Sequence, residues 1–84
     1  MSYQIEPRKV AGVVVEANKA LNGQGFNTGE VLLGLSELLG RIIVEAAENH
    51  MQMREMVKVV ETHLDKTITV GAQATQKSSI ITGV

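Results

Sequence analysis

The chain has 84 residues, 44% hydrophobic and 20% charged, the balance of one folded domain and not of a disordered segment. Eight Lys and Arg against nine Asp and Glu leave a net charge of −1, far from the basic excess that drives non-specific nucleic-acid binding, so duplex nucleic acid is not an expected partner. One Phe, one Tyr and no Trp argue against a base-stacking surface, and the lack of Cys excludes disulfides, thiolate metal sites and a cysteine nucleophile.

Residues 1–5 read as a short arm. Glu6-Pro7 then opens a first helix over about 7–21, because proline suits a first helical position whose N–H has no partner. Val10, Val13, Val14, Ala17, Ala20 and Leu21 recur at helical spacing within it. Ile5 and Val10 stand where a hydrophobic staple would flank Glu6. Asn22-Gly23 ends the helix, both residues tolerating a left-handed cap.

Phe26-Asn27-Thr28-Gly29-Glu30-Val31 carries the sharpest local signal. Asn27 is placed to cap a second helix while Glu30, three positions on, reaches back to the cap's own N–H, with Phe26 and Val31 at the staple positions. No proline follows, and between Gly40 and Gly71 there is no glycine, so the pattern predicts a long helix over about 28–66. At ~1.5 Å per residue such a helix exceeds ~50 Å, against a radius of gyration of ~12 Å for a compact chain of this size. Either it bends near residues 48–50 or other chains cover it.

A seam runs through Leu35, Leu39, Ile42, Ala46, Asn49, Met53, Val57, Val60 and Leu64, advancing by three or four residues, with Asn49 and His50 as a polar layer. Val31, Leu32, Leu33, Leu38, Ile43 and Val44 widen the apolar surface beyond one face. The remaining polar strip holds Glu30, Glu37, Arg41, Glu45 and Glu48. Such a helix needs cover on two sides: the first helix supplies one, and a second copy of the protein is the simplest source of the other. Helical glycines suggest close approach, with Gly12 facing Gly34 or Gly40. The fold expected is therefore an all-α helical hairpin, one helix short and one long, over residues 1–66. It self-associates into a helical bundle or coiled-coil-like oligomer. Residues 67–84 read as a flexible tail, the helix fraying near Thr69 where β-prone residues begin.

Chemistry-bearing constellations are sparse. His50 and His63 are thirteen residues apart, which at ~100° per residue puts them on different faces of one helix, so no metal site is expected within a chain. Asn22-Gly23-Gln24-Gly25 lacks the flanking strand and the Lys-Ser or Lys-Thr of a phosphate loop. No nucleophile–base–acid arrangement emerges, and the reading is of a protein without catalytic residues or cofactor. Tyr3, Arg8 and Lys9 combine an aromatic with positive charge at a helix start, and are the candidates for a nucleotide or phosphate. Met51, Met53 and Met56 cluster as bundle-end packing or as an adaptable binding patch. The longest apolar stretch is broken by Glu37, Arg41 and Glu45, so no membrane contact is expected.

The stretch Gly25-Phe26-Asn27-Thr28-Gly29-Glu30-Val31-Leu32-Leu33-Gly34-Leu35-Ser36-Glu37-Leu38-Leu39-Gly40-Arg41 resembles the small all-helical proteins of bacteriophages and prophages. That resemblance implies a cytoplasmic protein of a host cell, drawn from proteins that inhibit host enzymes, build virions or sequester cyclic nucleotides as oligomeric sponges. The tyrosine-arginine opening of the helical-hairpin sponges is not present. The leading expectation is a non-enzymatic oligomer that binds or inhibits a host macromolecule. A cyclic-nucleotide sponge binding between protomers and a virion structural component are the alternatives.

Overall fold

The structure, a computed structural model, describes residues 4–75. Over these residues it is all-α, with helices α1 (Pro7–Leu21), α2 (Thr28–Ala46) and α3 (His50–Ala74) and no strand. The chain divides into two units, Met1–Ile42 and Ile43–Val84, the boundary falling inside α2.

Pro7 occupies the first turn of α1, and Glu6 precedes it in extended conformation without a side-chain cap. Its carbonyl accepts from the N–H groups of Lys9 and Val10, and its carboxylate lies 3.0 Å from the Lys9 ammonium. Ile5 and Val10 both remain exposed, so no staple buries them. At the far end Asn22 is extended, and the left-handed conformation falls on Gly23 (φ +77°) and Gly25 (φ +82°). Glycine adopts these angles without the steric cost a Cβ would bring.

The start of α2 follows the sequence pattern atom for atom. Asn27 Oδ1 accepts from the Glu30 N–H at 2.8 Å, and Glu30 Oε1 accepts from the Asn27 N–H at 2.9 Å. Two helix-end donors are thereby satisfied reciprocally. Phe26 stays exposed beside this box.

Helical structure stops at Ala46 and resumes at His50, so the helix expected over 28–66 is two helices, with the interruption where the bend was expected. The cause is a second local cap. Asn49, extended at φ −158°, accepts the Gln52 N–H at 2.9 Å, and the Gln52 side chain accepts the Glu48 N–H at 2.8 Å. Asn49 is thus the N-cap of α3 and not a polar layer inside a continuous seam.

The other difference lies at the C-terminal end. Residues 67–74, expected in the tail, belong to α3. Thr and Val cost only tenths of a kcal/mol each in a helix, and Leu64, Ile68 and Ala72 continue the i, i+4 row, so nothing stops the helix at Thr69. It ends at Thr75, whose N–H and hydroxyl both donate to the Gly71 carbonyl, at 3.0 and 2.9 Å. The remaining tail, 76–84, lies outside the described residues.

Among the described residues neither unit has a conventional core. In the first, Ala17, Leu21 and Val31 are half-buried, and Leu21 and Val31 line one shallow depression with Val15, Asn18, Lys19 and Asn22. In the second, Ile43, Ala47, Gln52, Met53, Met56 and Val60 are half-buried on either side of the helix break. Ala72 alone among the described residues is buried.

The two caps should contribute separately to stability. Asn27→Ala and Asn49→Ala are each expected to cost about 1 kcal/mol, read as a lower urea midpoint by circular dichroism, with the double variant losing the sum because the sites share no partner.

Candidate interaction surface

Plotted at ~100° per residue, the side chains of α2 divide unevenly around its axis. A continuous arc of roughly 140° carries Leu38, Val31, Ile42, Leu35, Ala46, Leu39, Leu32 and Ile43. Ser36, Gly29 and Gly40 form a small-residue flank beside it, and Leu33 and Val44 lie beyond. Only about 80° is left for Glu37, Glu30, Arg41, Gly34 and Glu45. Of the large apolar residues, Val31 and Ile43 are half-buried and the others are exposed.

The polar strip is acidic, and its one cation is engaged. Arg41 Nη2 donates to Glu37 Oε2 at 2.7 Å one helical turn away. Both side chains are mostly exposed, so this pair stabilises little. It nevertheless leaves Glu30 and Glu45 as the uncompensated charges of the strip. Glu48 falls in the helix break, its N–H held by Gln52. The Ser36 hydroxyl is satisfied within the helix by the Leu32 carbonyl at 2.8 Å.

The seam residues are not uniformly exposed. Leu35, Leu39, Ile42 and Ala46 are exposed on α2, as are Val57 and Leu64 on α3. Met53 and Val60 are half-buried near the helix break. The methionines do not form one surface: Met51 is exposed, whereas Met53 and Met56 are half-buried. The expected contact of Gly12 with Gly34 or Gly40 is not made. A Cβ at any of these positions would meet nothing within 4 Å.

Of the candidate ligand residues, Arg8 and Lys9 line a shallow depression along α1 with Gly12, Val13, Val15, Glu16 and Ala17. The Lys9 ammonium is held by Glu6. Tyr3 lies outside the described residues. His50 begins α3, while His63 lines a separate depression on it with Glu55, Lys58, Val59, Thr62 and Lys66. No group of three or more potential metal ligands occurs among the described residues. No described helix is long and apolar enough to cross a membrane.

Comparison with family models, with curated proteins and with solved structures returns no match.

The open space around Gly34, on the polar strip, makes it a site of avoidable backbone cost. Gly34→Ala is expected to raise stability by about 0.5–1 kcal/mol, measured as a higher denaturation midpoint at unchanged molecular mass.

Proposed function

We propose that this chain is a non-enzymatic, self-associating helical protein that acts by binding another macromolecule. The observation that carries this reading is the exposed apolar circumference of α2. Single exposed leucines are ordinary on a protein surface, but Leu32, Leu35, Leu38, Leu39 and Ile42 on one helix form a contiguous patch of the kind that marks an interface. Copies of the chain take the apolar arc. The acidic strip through Glu30, Glu37 and Glu45 faces away from that arc and is the contact surface for the partner. The partner's complementary surface is accordingly basic.

The stretch 25–41, which resembles small phage and prophage proteins, coincides with the α2 cap and about the first three-quarters of that helix. The resemblance supports reading the binding activity as that of a phage accessory protein acting on a host macromolecule in the host cytoplasm. A cyclic-nucleotide sponge would instead rely on Arg8 and Lys9, and a virion component would stay with purified particles.

Two measurements test the reading. Leu39→Asp puts an unpaired charge on the apolar arc and is expected to dissociate or unfold the protein, seen as a drop in mass by light scattering or loss of the melting transition. An oligomer of unchanged mass and melting would sink the assignment of the arc. Separately, a panel of cyclic di- and trinucleotides is expected to leave the melting temperature unmoved. A rise with one of them that Arg8→Ala/Lys9→Ala abolishes would establish the sponge instead.

A further inference from the structure

Asn22 caps the end of α1 and Gly23 follows it into the loop that leads to α2. An asparagine carboxamide is open to attack by the backbone nitrogen of the next residue, and a glycine there leaves the approach uncrowded because it has no Cβ. Asn22-Gly23 is the one Asn-Gly pair in the chain. We propose that Asn22 is a modification site, deamidated spontaneously through a succinimide closed by the Gly23 nitrogen, and that the product weakens the joint between α1 and α2. The reaction needs no partner and stands apart from self-association.

The other three asparagines are held. Asn18 lies inside α1, where the N–H of the next residue belongs to the helix. Asn27 and Asn49 accept through Oδ1 from the N–H groups of Glu30 and Gln52, at 2.8 and 2.9 Å, and a residue with a side chain follows each, Thr28 or His50. Asn22 has left the helix, at φ −68° and ψ 132°, and is exposed. Among the described residues neither its carboxamide nor the Gly23 N–H has a hydrogen-bond partner. Bringing the Gly23 nitrogen to the carboxamide takes a rotation about the Asn22 Cα–C bond. The bond this disturbs, from the Gln24 N–H to the Leu21 carbonyl, is long at 3.4 Å, and even a Cβ on Gly23 would meet nothing within 4 Å.

Hydroxide or another base takes the proton from the Gly23 nitrogen, which bonds to Asn22 Cγ. The Cγ–Nδ2 bond breaks and Nδ2 leaves as ammonia. Water then opens the ring at either carbonyl, giving aspartate or isoaspartate, with nothing oxidised or reduced. Because the first step needs base, the rate rises with pH. Both products place a negative charge at the C-terminal end of α1, the end of the helix dipole that disfavours it. Isoaspartate also routes the backbone through an extra methylene. Leu21, Asn22 and Val31 line one depression at the foot of α1, and Leu21 and Val31 are two of the three half-buried residues described in the first unit. A longer, charged link at that point loosens the packing of α1 on the start of α2.

The test is to age the full chain at mildly alkaline and mildly acidic pH, native and in urea, and to follow it by mass spectrometry of tryptic peptides. The peptide 20–41 holds both Asn22 and Asn27, so Asn27 is an internal control. The expected result is a gain of one dalton that fragmentation assigns to residue 22, with isoaspartate as one product. It is faster at the higher pH, as fast in the native protein as in urea, and absent from Asn22→Gln, whose longer side chain does not close the five-membered ring. The aged protein, separated from its parent by anion exchange, is expected to melt at a lower temperature. A gain that appears first at Asn27, or at residue 22 in urea but not in the native protein, overturns the site. Aged and parent proteins that melt together overturn the weakening of the joint.

Discussion

Around α2 there is more apolar circumference than one helical neighbour can cover. A packed neighbour occupies one stripe, as in a coiled-coil seam, and the wider faces of globular helices need a little over 100°. The arc here, with Leu33 and Val44 beyond its small-residue flank, leaves polar groups only about 80°. The rest of the structure follows from that imbalance. Among the described residues, half-burial in the first unit is confined to Ala17, Leu21 and Val31, near the loop that joins α1 to α2. A chain of this length needs only ~4–13 kcal/mol of net stability, but it reaches that figure by offsetting an ordering cost of ~1–2 kcal/mol per residue. Burial supplies most of the offset at 1.5–3 kcal/mol per large side chain, and most of these side chains are exposed here. On the proposed reading the copies supply the missing burial, so folding and association are linked and stability rises with concentration.

Two caps of the same design divide the chain into helices, and they were not equally legible. Asn27 with Glu30 stands in a loop between two glycines and an apolar run, with nothing to compete against it, and its reciprocal bonds were readable from sequence alone. Asn49 with Gln52 is the same signature, an amide at the cap and a long acceptor three residues on. It is embedded in an apolar row that continues at helical spacing on both sides, and periodicity carries a helix straight through it. The local competition is what periodicity omits: an Asn side chain that satisfies a free N–H favours the helix start over the helix interior. Asn49 therefore reads as a polar seam layer from the row and as a boundary from its own hydrogen bond.

The end of α3 shows the opposite error. The Thr-Ile-Thr-Val run looks like a change of character because these residues prefer strands, but that preference expresses packing against neighbouring strands, and none is at hand. With no cost above tenths of a kcal/mol per residue, the helix continues until Thr75 turns its hydroxyl on the Gly71 carbonyl. The candidate site was legible to the extent that it depends on pattern. The exposed apolar stripe of α2 follows from sequence spacing, whereas the separation of exposed Met51 from half-buried Met53 and Met56 does not, because all three sit close in sequence and differ only in how the folded chain covers them.

That last distinction bears on where a partner docks. A methionine patch needs several flexible thioethers presented together to mould itself to a target. With Met53 and Met56 half-buried beside the break, only Met51 is freely offered. The acidic strip has the reverse property. It lies on the other side of α2 from the apolar arc, so on the proposed reading a copy that covers the arc leaves it exposed. Charges arranged in this way steer a basic partner on approach more than they add to its affinity. On the proposed reading the firm hold comes from apolar contacts beside the strip, and Leu33 and Val44, exposed next to Glu37 on the helix circumference, are the α2 residues placed to make them.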